Sequence, residues 1–107
     1  MSRESIFHEI DAERKRQDVQ WGVQAHPMVP ADAPVLFFKK AAEYARNNCD
    51  KRATLGTASW YDILREEFYE AFAEDFPVRQ REELVQVAAV ALEIIESIDR
   101  AAGRKKS

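Results

Sequence analysis

A chain of 107 residues has room for one hydrophobic core and not for two. Hydrophobic residues make up 46% and charged residues 33%, with only three Gly and four Pro, which excludes a disordered or fibrous protein and favours a helical, globular one. Sixteen Lys and Arg against 19 Asp and Glu leave a formal net charge of -3, so no general attraction to nucleic acid or to a membrane surface is expected.

The lone cysteine, Cys49, excludes an internal disulfide and a cysteine-built zinc site, suits a reducing compartment, and reads as a small, partly buried residue near a helix end. No segment approaches the ~20 apolar residues that a bilayer span needs, and MSRESIFHEIDAERKRQ lacks the apolar run of a signal peptide. The expectation is a cytoplasmic protein with a single domain over residues 1–107, a core between about residues 3 and 102, and a short basic tail at 103–107.

In chain order, Ser2 or Ser5 can cap a first helix that runs to about Gln20, and its thin stripe of Ile6, Ile10 and Phe7 fits an edge position. WGVQAHPMVPADAP, with one Gly and three Pro, must be a loop. A second helix is expected from about Ala33 to Val35, with Pro34 in its first turn, to about Asn48. A third spans roughly Ser59 to Phe76, with Ser59 as N-cap and Asp62 three positions on. Leu64, Phe68, Ala71 and Phe72 are its expected core face, and Pro77 ends it. The fourth runs from about Arg79 to Ala102, with Leu84, Ala88, Ala91, Ile95 and Ile98 as the seven-residue row of a central packing helix, joined by Val87 and Ile94, and Gly103 as its stop. An all-α, four-helix bundle-like domain follows.

The glutamates of the last two helices disturb this pattern. At about 100° per residue, with Leu64 at zero, Glu67 falls near 300°, Ile63 near 260° and Glu70 near 240°, so Glu67 is flanked by apolar neighbours. On the fourth helix, with Leu84 at zero, Glu83 falls near 260° between Val90 and Ile94, and Gln86 near 200°. Glu67 with Glu70, and Glu83 with Gln86, therefore form two pairs at a spacing of three on helices joined by a short turn around Pro77. Unpaired carboxylates brought together away from water cost several kcal/mol each (roughly) unless protonated or neutralised by a cation. Oxygen ligands alone favour a hard ion, Mg²⁺ or Mn²⁺, over zinc. The competing reading pairs these acids with Arg65, Arg79 or Arg81, or leaves them on a solvated edge.

These residues resemble the signature of the MazG-like all-α nucleoside triphosphate pyrophosphohydrolases, EExxE followed on the next helix by ExxD. Glu66, Glu67 and Glu70 give EExxE; Glu83 to Gln86 gives ExxQ, so the final acid is replaced by an amide. WGVQAHP is similar to a tryptophan-containing segment that lies upstream in that family. The resemblance implies Mg²⁺-dependent (Mn²⁺ as substitute) hydrolysis of a nucleoside triphosphate to monophosphate and pyrophosphate by a homodimer or homotetramer. Glu67, Glu70, Glu83 and Gln86 would be metal ligands, with Glu66 and Glu67 catalytic and Glu66 holding a second ion or orienting water. Trp21 and Trp60 are the candidates for stacking on the base, Gln24 and His26 for hydrogen bonding to it, and Lys39 for the phosphates, with Lys40, Arg16 and Lys51 as further cations. The alternative is a non-catalytic helical interaction module on the same fold, for which Gln86 is the main sign.

Overall fold

The computed structural model describes residues 2–106, with side chains described as far as Gly103. These residues form four α-helices, α1 (Arg3–Trp21), α2 (Phe37–Thr54), α3 (Trp60–Ala73) and α4 (Pro77–Lys106), in agreement with the all-helical class expected from the sequence. No described helix is long and apolar enough to cross a membrane. The chain divides into two compact units, Met1–Pro27 with Leu92–Ser107, and Met28–Ala91.

In the first unit, α1 starts at a capping box. The Ser5 amide donates to Ser2 Oγ at 3.1 Å and the Ser2 amide donates to Ser5 Oγ at 3.2 Å, which occupies donors that the first helical turn leaves free. Ile6 is buried, whereas Phe7 and Ile10 are exposed, so the apolar stripe is even thinner than its sequence suggests. Arg3 reaches Glu96 of α4 at 3.2 Å. Gly22, at φ 68, ends α1 in a conformation that residues with a Cβ avoid.

In the second unit, α2 packs on α3 through small residues. Ala42, Ala45 and Cys49 are buried on α2 and Ala71 on α3, which lets the helices approach closely. Phe38 and Phe72 add an aromatic contact, with ring centroids 5.9 Å apart. Ser59 caps α3 with Asp62 as its partner, as the sequence implies. Glu74 is extended, and Pro77 occupies the first position of α4, where its missing N–H costs nothing.

The boundaries differ from expectation at several ends. Pro34 lies one turn before α2, its carbonyl accepting from the Phe37 amide at 3.0 Å. The helix then continues past Asn48 to Thr54, because the Asn48 side chain donates to the Tyr44 carbonyl at 2.8 Å along the helix instead of turning the chain. Gly56 stops it: with φ at 71, its amide donates to the Ala53 carbonyl and the Thr57 amide to the Arg52 carbonyl, a Schellman end. The third helix stops at Ala73, ahead of Phe76, and the fourth starts at Pro77, ahead of Arg79. Gly103 is not a stop. It lies inside α4, without positive φ, since a glycine weakens a helix interior but does not forbid it. Of the basic tail, Ser107 and the side chains of residues 104–106 lie outside the described residues.

Two expected core faces are also corrected. On α3, Ala71 is buried and Leu64 and Phe72 half-buried, but Phe68 is 42% exposed. On α4, Leu84, Ala88 and Ile98 are exposed, while Val87, Val90, Ala91, Ile94 and Ile95 are half-buried. The physical reason on α3 lies in polar partners. The helix turns Asp62, Glu66 and Glu70 toward α2, where Arg52, Cys49 and Arg46 meet them, and the row containing Leu64 and Phe68 is displaced outward.

Candidate functional site

Carboxylates on α3 fall into two environments. Asp62 is only 1% exposed. It accepts the Ser59 amide at 3.0 Å and the Ser59 hydroxyl at 2.8 Å, and it pairs with the Arg52 guanidinium. The Arg65 guanidinium lies 3.8 Å away, above the Tyr61 ring at 4.9 Å and the Tyr44 ring at 5.6 Å. The Ser59 hydrogen bonds above all, with the Arg52 charge behind them, hold the Asp62 carboxyl below the usual carboxylate range despite its burial. Asp62 is thus a satisfied structural acid, with no free valence for a ligand.

Glu67, Glu70 and Glu83 are different. Each is half-buried, and one carboxylate oxygen from each lies within 4.8 Å of the others. The i to i+3 spacing puts Glu67 and Glu70 on one side of α3, and the tight Glu74–Phe76 turn brings the first turns of α4, with Glu83, back beside them. Gln80 secures that turn by donating to the Glu74 carbonyl at 2.9 Å. Burial pushes the Glu67 carboxyl up, and the charges of Glu70, Glu83 and Glu66 push it further. Burial raises Glu83 in the same way, with Glu70, Glu74 and Glu82 adding to it. Glu70 is raised by burial and by Glu66, against a partial offset from Arg46. Three acids crowd one point, and the cation facing them, Arg46, stands 3.6 Å from Glu70.

Such a cluster suits a hard divalent ion. Oxygen ligands about 2.1 Å from Mg²⁺ lie roughly 3 to 4 Å from each other, so small side-chain rotations from the present separations bring them into place. All the donors are carboxylate oxygens, the type that Mg²⁺ and Mn²⁺ prefer.

The remaining candidates are placed as follows. Glu66 is half-buried between the cluster and the buried Cys49 thiol, whose pKa is raised first by burial and then by Glu66. Gln86 is exposed, three residues on from Glu83. Lys39 lies 2.8 Å from Asp75, and it lines a recess of ≈ 470 Å³ with Arg46, Glu70, Glu74, Asp75 and Glu83. The Asp75 hydrogen bond and charge raise the Lys39 pKa. Trp60 is 37% exposed at the start of α3. Trp21, Gln24 and His26 belong to the first unit, where they line a recess of ≈ 630 Å³ with Arg14 and Asp18. Of the further cations, Arg16 is paired with Glu13, and Lys40 and Lys51 are exposed. The residues that sequence reasoning missed are Arg46 and Asp75. For Arg46 a signal existed, since it follows Lys39 by seven residues, two helical turns on the same face.

Comparison with known proteins returned no match, whether to family models, to curated proteins or to solved structures.

Proposed function

We propose that the chain is a divalent-cation-dependent nucleoside triphosphate pyrophosphohydrolase of the MazG-like kind. The observation that carries the reading is the meeting of Glu67, Glu70 and Glu83 within 4.8 Å, with all three carboxyls held above their ordinary range. Carboxylates that suppress one another's ionisation are a poor device for stability and a good one for binding a cation.

Glu67, Glu70 and Glu83 hold the ion, and Gln86 offers a neutral amide oxygen one turn beyond Glu83. When bound, Mg²⁺ or Mn²⁺ neutralises phosphate charge and acidifies water. Water attacks the α-phosphorus, the bond to the oxygen bridging the α and β phosphates breaks, and monophosphate and pyrophosphate leave. Glu66, beside the cluster, takes the proton from that water. Lys39 meets the phosphates, and Trp60 provides a stacking surface for the base.

The test measures pyrophosphate released from a panel of ribo- and deoxynucleoside triphosphates with Mg²⁺ or Mn²⁺. Glu67→Ala and Glu83→Ala are expected to lower the rate by at least about 100-fold. Gln86→Asp is expected to tighten metal binding. If no nucleotide yields pyrophosphate and Mn²⁺ leaves the melting temperature unchanged, the enzyme reading is lost. The second reading, a non-catalytic interaction module, would then stand on the exposed apolar side chains Phe68, Leu84 and Tyr61.

The same side chains support a homodimer or homotetramer. Among the described residues the fully buried hydrophobic set is only Ile6, Ala42, Ala45, Cys49 and Ala71, which leaves much of the apolar surface to be covered by another copy. Sedimentation should give a mass above that of one chain, and Phe68→Glu should shift it to the monomer. A wild-type protein that sediments as a monomer at tens of micromolar, roughly, would remove the oligomer from the reading.

A further inference from the structure

Both cations of the ≈ 470 Å³ recess stand on α2, and the acids Glu70 and Glu83 come from α3 and α4. Lys39 and Arg46 are seven residues apart, about 10.5 Å along the helix and nearly in line. Their acid contacts are unequal. Lys39 makes a 2.8 Å hydrogen bond to Asp75. The Arg46 Nε lies 3.6 Å from Glu70 Oε1, outside hydrogen-bonding distance, and its side chain is 52% exposed while that of Glu70 is 24% exposed. Arg46 is therefore near enough to compete with a cation for Glu70, yet too loosely held to satisfy it. Its guanidinium keeps its planar fork of donors for another partner.

We propose that Arg46 is a placeholder that exchanges Glu70 for phosphate: in the free protein its guanidinium leans on Glu70, and when a divalent cation and a polyphosphate enter, it releases that carboxylate and binds non-bridging phosphate oxygens, with Lys39 beside it. This rests on the metal-dependent reading above and deepens it by giving the recess two walls. The acids of α3 and α4 form the metal wall, and α2 forms the phosphate wall. A guanidinium suits the exchange because its fork matches two phosphate oxygens at once, as a lysine point charge does not. The exchange also explains how an acidic cluster and a polyanion can share one recess, since each charge of the free site has a counter-charge in the loaded one.

The test is calorimetric titration of the full chain with Mn²⁺ alone, and then with inorganic triphosphate in the presence of Mn²⁺, for wild type, Arg46→Gln and Arg46→Lys. Removing the positive charge beside Glu70 is expected to tighten Mn²⁺ binding by about three- to ten-fold. Losing the fork is expected to weaken triphosphate binding by about ten-fold or more. Arg46→Lys should keep wild-type Mn²⁺ affinity and lose part of the triphosphate affinity. Opposite movement of the two affinities in Arg46→Gln is the signature. If both stay unchanged, or both weaken as they would for a residue that only supports the fold, the proposal is overturned while the metal reading stands. If wild type does not bind Mn²⁺ at all, both fall.

Discussion

Asp62 and Glu67 lie five residues apart on α3, and they show that burial alone does not mark a functional carboxylate. Asp62 is the more buried of the two, yet its carboxyl titrates below the ordinary range because Ser59 and Arg52 occupy it. Glu67 retains some contact with solvent, yet it titrates above the ordinary range, because its partial burial has no donors to offset it and the charges of Glu70, Glu83 and Glu66 add to the shift. The difference lies in what each group faces. A carboxylate satisfied by donors belongs to the architecture, and one confronted by its own kind is available to a ligand.

The contrast is easiest to break at Asp62. Asp62→Ala removes the capping box of α3 and leaves the Arg52 charge without its partner, and should cost about 2 to 4 kcal/mol of stability in urea unfolding. A loss well under 1 kcal/mol, roughly, would mean that Asp62 is not the keystone its contacts suggest.

Glu67→Gln sharpens the contrast from the other side with a smaller effect of opposite sign. Removing one of several repelling charges should raise the melting temperature of the metal-free protein while abolishing its stabilisation by Mn²⁺. The pH dependence follows the same logic. The Glu67, Glu70 and Glu83 pKa values are raised above 4.5 in the folded state, so between that value and the raised ones the native chain binds more protons than the unfolded chain, and stability falls as pH rises through the window. The penalty is complete at neutral pH. Asp62 runs the other way. Its folded pKa lies below 3.8, so its contribution is present above 3.8 and is lost as pH falls through the folded value. Metal-free protein should therefore melt higher near pH 5 than near pH 8, roughly, with a decline only in stronger acid, and Mn²⁺ should erase the neutral-pH deficit. A melting temperature flat from pH 5 to 8 without metal would show that the three acids do not oppose one another in solution.

Much of the acid cluster was legible in the sequence because it depends on local geometry. A spacing of three on a helix fixes which side a residue takes, and Pro77 forces the short turn that brings Glu83 to Glu67 and Glu70. The same applies to the Ser59 and Asp62 cap. What the sequence did not give away was the choice between competing faces. Leu64 and Phe68 outrank Glu66 and Asp62 in hydrophobicity, but the deciding interactions come from Arg52, Arg46 and Cys49, which are far off in the chain and whose pairing no periodicity on α3 records. The end of α2 was missed for a different reason. Asn48 looks like a terminator, whereas the real one, Gly56, acts through two backbone hydrogen bonds.

Cys49 is buried on the side of α2 that faces α3, and its pKa is raised, first by burial and then by the Glu66 carboxylate. A thiol in that condition is a poor nucleophile while the helices are closed. Because the chain has only one, its rate of labelling by a disulfide reagent counts the openings of the α2–α3 pair, so the molecule carries its own clock for the breathing of the element on which the acid cluster is built.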